Sequence, residues 1–265
     1  MMTTISDVFA YLNALAPIQM KMEGDNVGLL LGDGHAPVKG ILCALDITDN
    51  VIDEAIKQGA SLIIAHHPLF FTLGQSITTD TSTGRKILRL AEHRIAAICM
   101  HTNLDSAPDG VNDALATALG LENIEILAPD GEVDGMAYGL GRIGQLKQPR
   151  TLHDFLPIIQ SAVKSNGLRY VDAGKPVSRM AVMGGSGTDY LEAAIRAGCD
   201  TYVLGEAKYN AFLSAKEQGI NLIEADHFCT ENLVMKPLAE KISQQFPKLS
   251  VSVSQTLKQT AQFFT

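Results

Sequence analysis

A chain of 265 residues, 46% hydrophobic and 19% charged, is long enough for one large or two modest domains around sizeable cores. Its formal charge of −8, without any run of Lys or Arg, lacks the electrostatic footprint that a phosphate backbone demands and argues against nucleic acid as a partner. No apolar run reaches the roughly 18 residues of a membrane span, and Met1-Met2-Thr3-Thr4 has no basic region leading into an apolar one, so neither a membrane nor a signal peptide is expected.

Tryptophan is absent and Ala, Ile, Leu and Val supply the apolar volume, as a mixed or largely parallel α/β sheet requires. Cys43, Cys99, Cys199 and Cys229 are far apart, form no CxxC pair and sit mostly in apolar runs. They read as reduced core residues of a cytoplasmic protein.

From the start, Thr4-Ile5-Ser6-Asp7 resembles a capping box, and Ile5, Val8, Phe9, Leu12 and Leu15 repeat at helical spacing up to Pro17. Asp25 and Asn26 follow in a Gly/Asp-rich turn and read as ordinary turn formers. Residues 38–45 form an apolar strand closed by Asp46; Thr48 caps a helix over 49–58 that Gly59 ends. A second strand, Ser61-Leu62-Ile63-Ile64-Ala65, runs into His66-His67-Pro68 and completes a right-handed βαβ unit. A polar loop over 70–83, long enough for a lid or rim, leads to a helix over 84–93 and a strand over 94–100. That strand empties into His101-Thr102-Asn103-Leu104-Asp105, and a helix over 111–119 follows.

Residues 126–176 form a connecting segment. The glycines around Tyr138, Leu140 and Ile143 suggest a bent strand or hairpin there, followed by a helix over 152–164 that tolerates Pro157 only through a local kink. The second half echoes the first. Aligning Val38 with Val177 without gaps sets Ala55 on Ala194, Ile56 on Ile195 and Gly59 on Gly198, with His66 and His67 on Gly205 and Glu206. The expectation is two similar α/β lobes, 1–125 and 177–265, each a mixed or largely parallel sheet flanked by helices. A helix over 232–246, interrupted near Pro237, and a period-two strand over 249–254 close the chain.

Polar residues gather where strands end, which is where α/β sheets bind ligands. Pro68 breaks strand alternation, so the imidazoles of His66 and His67 can converge or serve neighbouring ions; the pair alone fits a polar rim equally well. His227 and Glu231, four apart, share a helix face about 6 Å apart. Asp105, four after His101, can bridge two cations or merely cap a turn. Together His66, His67, Asp105, His227 and Glu231 supply three imidazoles and two carboxylates, which suits two ions of Zn, Mn, Fe or Co and is too nitrogen-rich for Ca. Gly139-Leu140-Gly141-Arg142-Ile143-Gly144 matches a dinucleotide-binding string but opens no helix, so turn and bulge glycines account for it better. Gly184-Gly185-Ser186-Gly187 is a better anion candidate, set against a plain strand-to-helix turn. Glu206 and Lys208 contact substrate if the lobes face one another.

The combination of Asp25-Asn26-Val27-Gly28-Leu29, His66-His67-Pro68-Leu69-Phe70, His101 to Asp105, Gly184 to Gly187 and His227 to Glu231 resembles the NIF3-like proteins, the GTP cyclohydrolase 1 type 2 homologues. The resemblance implies two α/β lobes with a dinuclear metal centre in the cleft between them, and a homohexameric ring. It carries the metal-ligand role onto His66, His67, Asp105, His227 and Glu231. Two departures stand out. Gly205-Glu206-Ala207-Lys208-Tyr209-Asn210 replaces the family's Gly-Asp followed by Lys-Tyr-His, and Asp226-His227-Phe228 replaces its Gly-His-Tyr.

The resulting expectation is a metal-dependent hydrolase in which activated water attacks a nucleotide or phosphorylated small molecule, with Glu231 or a bridging hydroxide, or more weakly Glu206, accepting the proton. The competing readings are a non-enzymatic metal-binding scaffold or delivery protein, and a nucleic-acid-associated ring, which the acidic charge disfavours.

Overall fold

The computed structural model describes residues 2–264. The chain forms two compact units, one of Met1–Leu104 with Met235–Lys258, the other of Asp105–Val234 with Gln259–Thr265. Each contains a mixed sheet flanked by helices. The last strand of the chain returns to the first unit, and residues 126–176 lie in the second.

In the first unit, helix α1 (Ile5–Leu15) starts on a capping box. Thr4 Oγ1 accepts from Asp7 N at 3.2 Å, and Asp7 Oδ2 accepts from Thr4 N at 2.8 Å. Strands β1 (Gly28–Leu31) and β2 (Gly40–Ala44) lead to α2 (Asp49–Gln58), which Thr48 caps and Gly59 closes in a left-handed conformation. Strand β3 (Leu62–Ala65), α3 (Ser82–Glu92) and β4 (Ala96–Cys99) follow, then the short α4 (Thr102–Ser106). Helices α2 and α3 press Val51, Ile52, Ala55, Ile87 and Leu90 onto Leu42, Ile63 and Ala97 of the sheet. Ile41, Cys43 and Ile64 are buried as well. Both strand faces are therefore covered, which is why these strands read as unbroken apolar runs.

The second unit opens with α5 (Val111–Ala118) and a long antiparallel hairpin, β5 (Leu121–Val133) and β6 (Met136–Arg150). The glycine string 139–144 lies inside β6 and opens no helix. Arg142 of this strand is buried. It makes paired hydrogen bonds to Asp113, both at 2.9 Å, and donates to the carbonyls of Gly139, Gly141 and Ala107, tying the chain just after Asp105 to the sheet. Helix α6 (Leu152–Val163) runs through Pro157 to Lys164, which closes it in a left-handed conformation.

Next come β7 (Arg169–Val171), β8 (Val177–Ser186), α7 (Leu191–Arg196), β9 (Thr201–Glu206), α8 (Tyr209–Gln218), β10 (Asn221–Glu224) and α9 (His227–Glu231). The sheet order is β5-β6-β8-β9-β10-β7, with β8, β9 and β10 parallel. Successive residues of β8 serve opposite cores. Met180 and Val182 meet Phe155 and Ile159 of α6, while Ala181 and Met183 join Leu191, Ala194 and Ala211 of α7 and α8.

The chain then returns to the first unit as α10 (Met235–Gln245) and β11 (Ser250–Val253). Pro237 does not interrupt this helix. It sits in the first turn, where its missing N–H has no intrahelical partner to lose; the irregularity is a 3-10 turn at Asn232–Val234 just before. Strand β11 adds parallel to β2, giving the order β1-β4-β3-β2-β11. Among the described residues no helix is long and apolar enough to cross a membrane.

Candidate metal centre

In the first unit β3 and β4 run parallel with Ala65 opposite Cys99, so the residues just past each strand end lie side by side. His66 and His67 follow β3 and His101 follows β4. Their rings converge, with centroids 5.0 Å apart for His66 and His67, 5.2 Å for His66 and His101, and 5.7 Å for His67 and His101. Each offers a ring nitrogen within 4.8 Å of the others, a group able to hold a metal ion.

Each ring is held from behind. Nδ1 of His66 donates to the Met100 carbonyl at 2.8 Å, Nδ1 of His67 faces Asp46 Oδ1 at 2.7 Å, and Nδ1 of His101 faces Asp25 Oδ1 at 2.8 Å. A carbonyl or carboxylate can only accept, so each Nδ1 carries a proton, and in the neutral ring the lone pair is then on Nε2, the tautomer that binds metals. Asp25 is thus more than a turn former. It also accepts from the Thr102 amide at 3.1 Å and from the Thr102 hydroxyl. Burial alone would raise its carboxyl pKa, but the hydrogen bonds from His101 and Thr102 outweigh that and hold it well below the usual carboxylate range.

In the second unit α9 is a single turn capped by Asp226, whose carboxylate accepts from Cys229 N at 3.0 Å. His227 and Glu231 share its face, with Nε2 of the histidine 3.1 Å from Glu231 Oε2. Nδ1 of His227 faces Glu206 Oε2 at 3.2 Å, the same carboxylate-behind-histidine arrangement as Asp46 with His67. Asp105 and Glu231 bring carboxylate oxygens within 4.8 Å of each other. Asn112 bridges this region, donating to the Asp105 carbonyl and accepting from Gly184 N, both at 2.9 Å.

The glycine turn at Gly184–Gly187 does not present its first two amides to an anion. Gly184 N donates to Asn112 and Gly185 N to the Thr230 hydroxyl at 3.2 Å. Its use is space. Gly185 has φ of +64°, and a Cβ there would fall inside 3.0 Å of Glu231 Oε1 and lie 3.3 Å from His227 Nε2. Lys208 is exposed and pairs with Asp189 at 3.6 Å. Burial pushes the Cys229 thiol up to about 12, which removes it as a nucleophile beside His227.

Of the sequence-selected positions, the structure joins His66 with His67 in the first unit, and Asp105, His227 and Glu231 in the second. It adds His101, Asp25 and Asp46, to which the sequence reading gave no ligand or orienting part. For His101 the signal is its position: it lies two residues beyond the end of β4, as His67 lies two beyond the end of the neighbouring β3.

The family model described as Duf34/NIF3 (NGG1p interacting factor 3) matches residues 3–260. The chain belongs to this family. A Duf34/NIF3 relative from Clostridium acetobutylicum named GTP cyclohydrolase 1 type 2 homolog is 36% identical over 249 residues, covering 94% of this chain and 92% of its own. Among solved structures, a hypothetical protein of Staphylococcus aureus aligns with a TM-score of 0.91 at 32% identity and full coverage of both chains. Reduced HcgD from Methanocaldococcus jannaschii aligns at 0.81 and 29%, covering 96% of this chain and 98% of its own. The imidazole and carboxylate donors of this Duf34/NIF3 chain fit Zn, Mn, Fe or Co, and the glycine at 185 keeps open the space the carboxylate needs.

Proposed function

We propose that this protein is a dinuclear metal-dependent hydrolase acting on a nucleotide or other phosphorylated small molecule, akin to the GTP cyclohydrolase 1 type 2 homologs it resembles. The observation that carries this reading is the set of three imidazoles whose Nδ1 atoms are all tied to fixed acceptors, so that each Nε2 is prepared for a cation. In this reading the ligands are His66, His67, Asp105, His227 and Glu231, with His101 beside the first two. A bound pair of divalent ions supplies Lewis acidity and lowers the pKa of water toward neutrality.

The chain's own residues do the rest. Asp46, Asp25 and Glu206 hold the rings of His67, His101 and His227 in register. Asp105 and Glu231 bring the negative charge that offsets two cations. Glu231 would accept the proton released by an attacking water, and Glu206, tied to Nδ1 of His227, is the weaker candidate for that role.

Metal analysis of the purified protein combined with turnover on a nucleotide panel tests the reading. Stoichiometric metal and hydrolysis, both lost in His67→Ala and Glu231→Ala, are the expected results. A metal-free protein after growth in supplemented medium, or turnover untouched by both substitutions, would refute it. The same reading carries a ring of six copies, which light scattering should report as six times the 28.4 kDa of one chain. It also carries a cytoplasmic site of action, in keeping with Cys43, Cys99, Cys199 and Cys229 all being buried and outside any disulfide.

A further inference from the structure

We propose that Phe71 is a platform on which a planar heteroaromatic ring of the substrate, a nucleobase in the reading above, stacks beside the histidine group; the inference rests on that reading. Phe71 lies four residues beyond His67, and its ring meets that of His101 edge to face, 5.9 Å between centroids at 67°. The Phe71 ring is therefore in contact with a residue of the histidine group. Yet Phe71 is 62% exposed, whereas Leu69 just before it is buried and Phe70 packs on the core.

The approach to Phe71 is also fixed, because Asn26 Nδ2 donates to the Phe70 carbonyl at 2.8 Å. Beyond it the loop exposes Leu73 and Ile77, and these residues with Phe71, Pro68, Ser76 and Ile87 line a cavity of about 450 Å³, a size suited to a small molecule. A phenyl ring offers neither donor nor acceptor to a sugar or phosphate. What it offers is a flat apolar π surface, and every nucleobase presents a matching face. Phosphates and the reacting centre would be left to the cations and polar groups, and the base to Phe71.

The test is equilibrium binding to manganese-loaded protein, with GTP and ribose 5-triphosphate as probes and metal content measured alongside. The wild-type protein should bind GTP about 10-fold more tightly than ribose 5-triphosphate, the scale of a single base–aromatic stack. Phe71→Ala and Phe71→Leu should abolish that preference without loss of metal, while Phe71→Tyr should retain it. Leucine keeps the apolar volume against His101, so loss in both variants separates stacking from packing. If both probes bind but equally in the wild type, or if the preference survives in the alanine and leucine variants, the platform is refuted while the hydrolase reading stands. If neither probe binds metal-loaded protein, the nucleotide reading fails and the platform with it.

Discussion

Gly185→Ala tests the construction of the carboxylate side of the centre. The residue has φ of +64°, a region that costs an L-residue with a Cβ about 1–2 kcal/mol. The added methyl would also fall inside 3.0 Å of Glu231 Oε1, where real Cβ atoms are essentially never found. Glu231 is 4% exposed and anchored on α9, so its carboxylate must retreat by on the order of 1 Å in a close-packed surrounding. Overpacking of this kind adds about 1–3 kcal/mol. The total expected loss is roughly 2–5 kcal/mol in urea unfolding of the metal-free protein. Misplacing a reacting group by 1 Å can cost about 100-fold in rate. The decisive assay is a double-mutant cycle with Glu231→Ala. With the carboxylate gone, Gly185→Ala should cost only the backbone share of about 1–2 kcal/mol. An equal cost in both backgrounds, or a Gly185→Ala protein with unaltered metal affinity, would refute the argument that the glycine exists to make room for Glu231.

Asp46→Asn leaves the His67 neighbourhood sterically intact but removes the charge that holds the Nδ1 proton. Zinc affinity by calorimetry should fall about 10–100-fold, and an unchanged affinity would remove Asp46 from the orienting set. Glu54 concerns stability and pH instead. It accepts from the Ser254 hydroxyl at 2.6 Å, the Gln255 amide at 3.0 Å and the Thr256 hydroxyl at 2.8 Å, strapping down the chain after β11. Burial would raise its pKa, but these hydrogen bonds prevail and lower it. A carboxyl depressed in the folded state stabilises fully above its unfolded pKa and loses that contribution as pH falls through the folded value. Glu54→Gln should therefore cost about 1–2 kcal/mol at pH 7, and the gap to wild type should close in acid. A gap independent of pH would contradict this.

Much of the first unit is legible in the sequence because its signals are local and agree. Thr48 and Gly59 bracket α2, four apolar residues spell β3, and the strand gives way to the two histidines and Pro68. The hairpin of the second unit is harder. β5 is an edge strand with mostly exposed side chains and carries Pro129 and Gly131, so no apolar alternation marks its thirteen residues. Its turn was nonetheless written plainly, since Asp134-Gly135, both with positive φ, is the pair a two-residue hairpin favours. At the centre, spacing along the chain finds groups that share one helix face, such as His227 and Glu231. It cannot find His101 with Asp25, which are held together only by tertiary structure at 2.8 Å. The glycine turn leaves an anion site and a plain turn both open in the sequence for a related reason: the partners of its first two amides, Asn112 and Thr230, are 72 and 45 residues away.

Strand β11 has a consequence for biosynthesis. A ribosome makes the chain from its N-terminus, so β2 emerges long before the strand that completes its sheet, with all of Asp105–Val234 made in between. During that interval the β2 edge presents unpaired amides and carbonyls, a template for pairing with other nascent chains. Prematurely terminated products lacking the last twenty or so residues would keep that open edge permanently, which makes them candidates for aggregation even though every histidine and carboxylate of the centre is already in place.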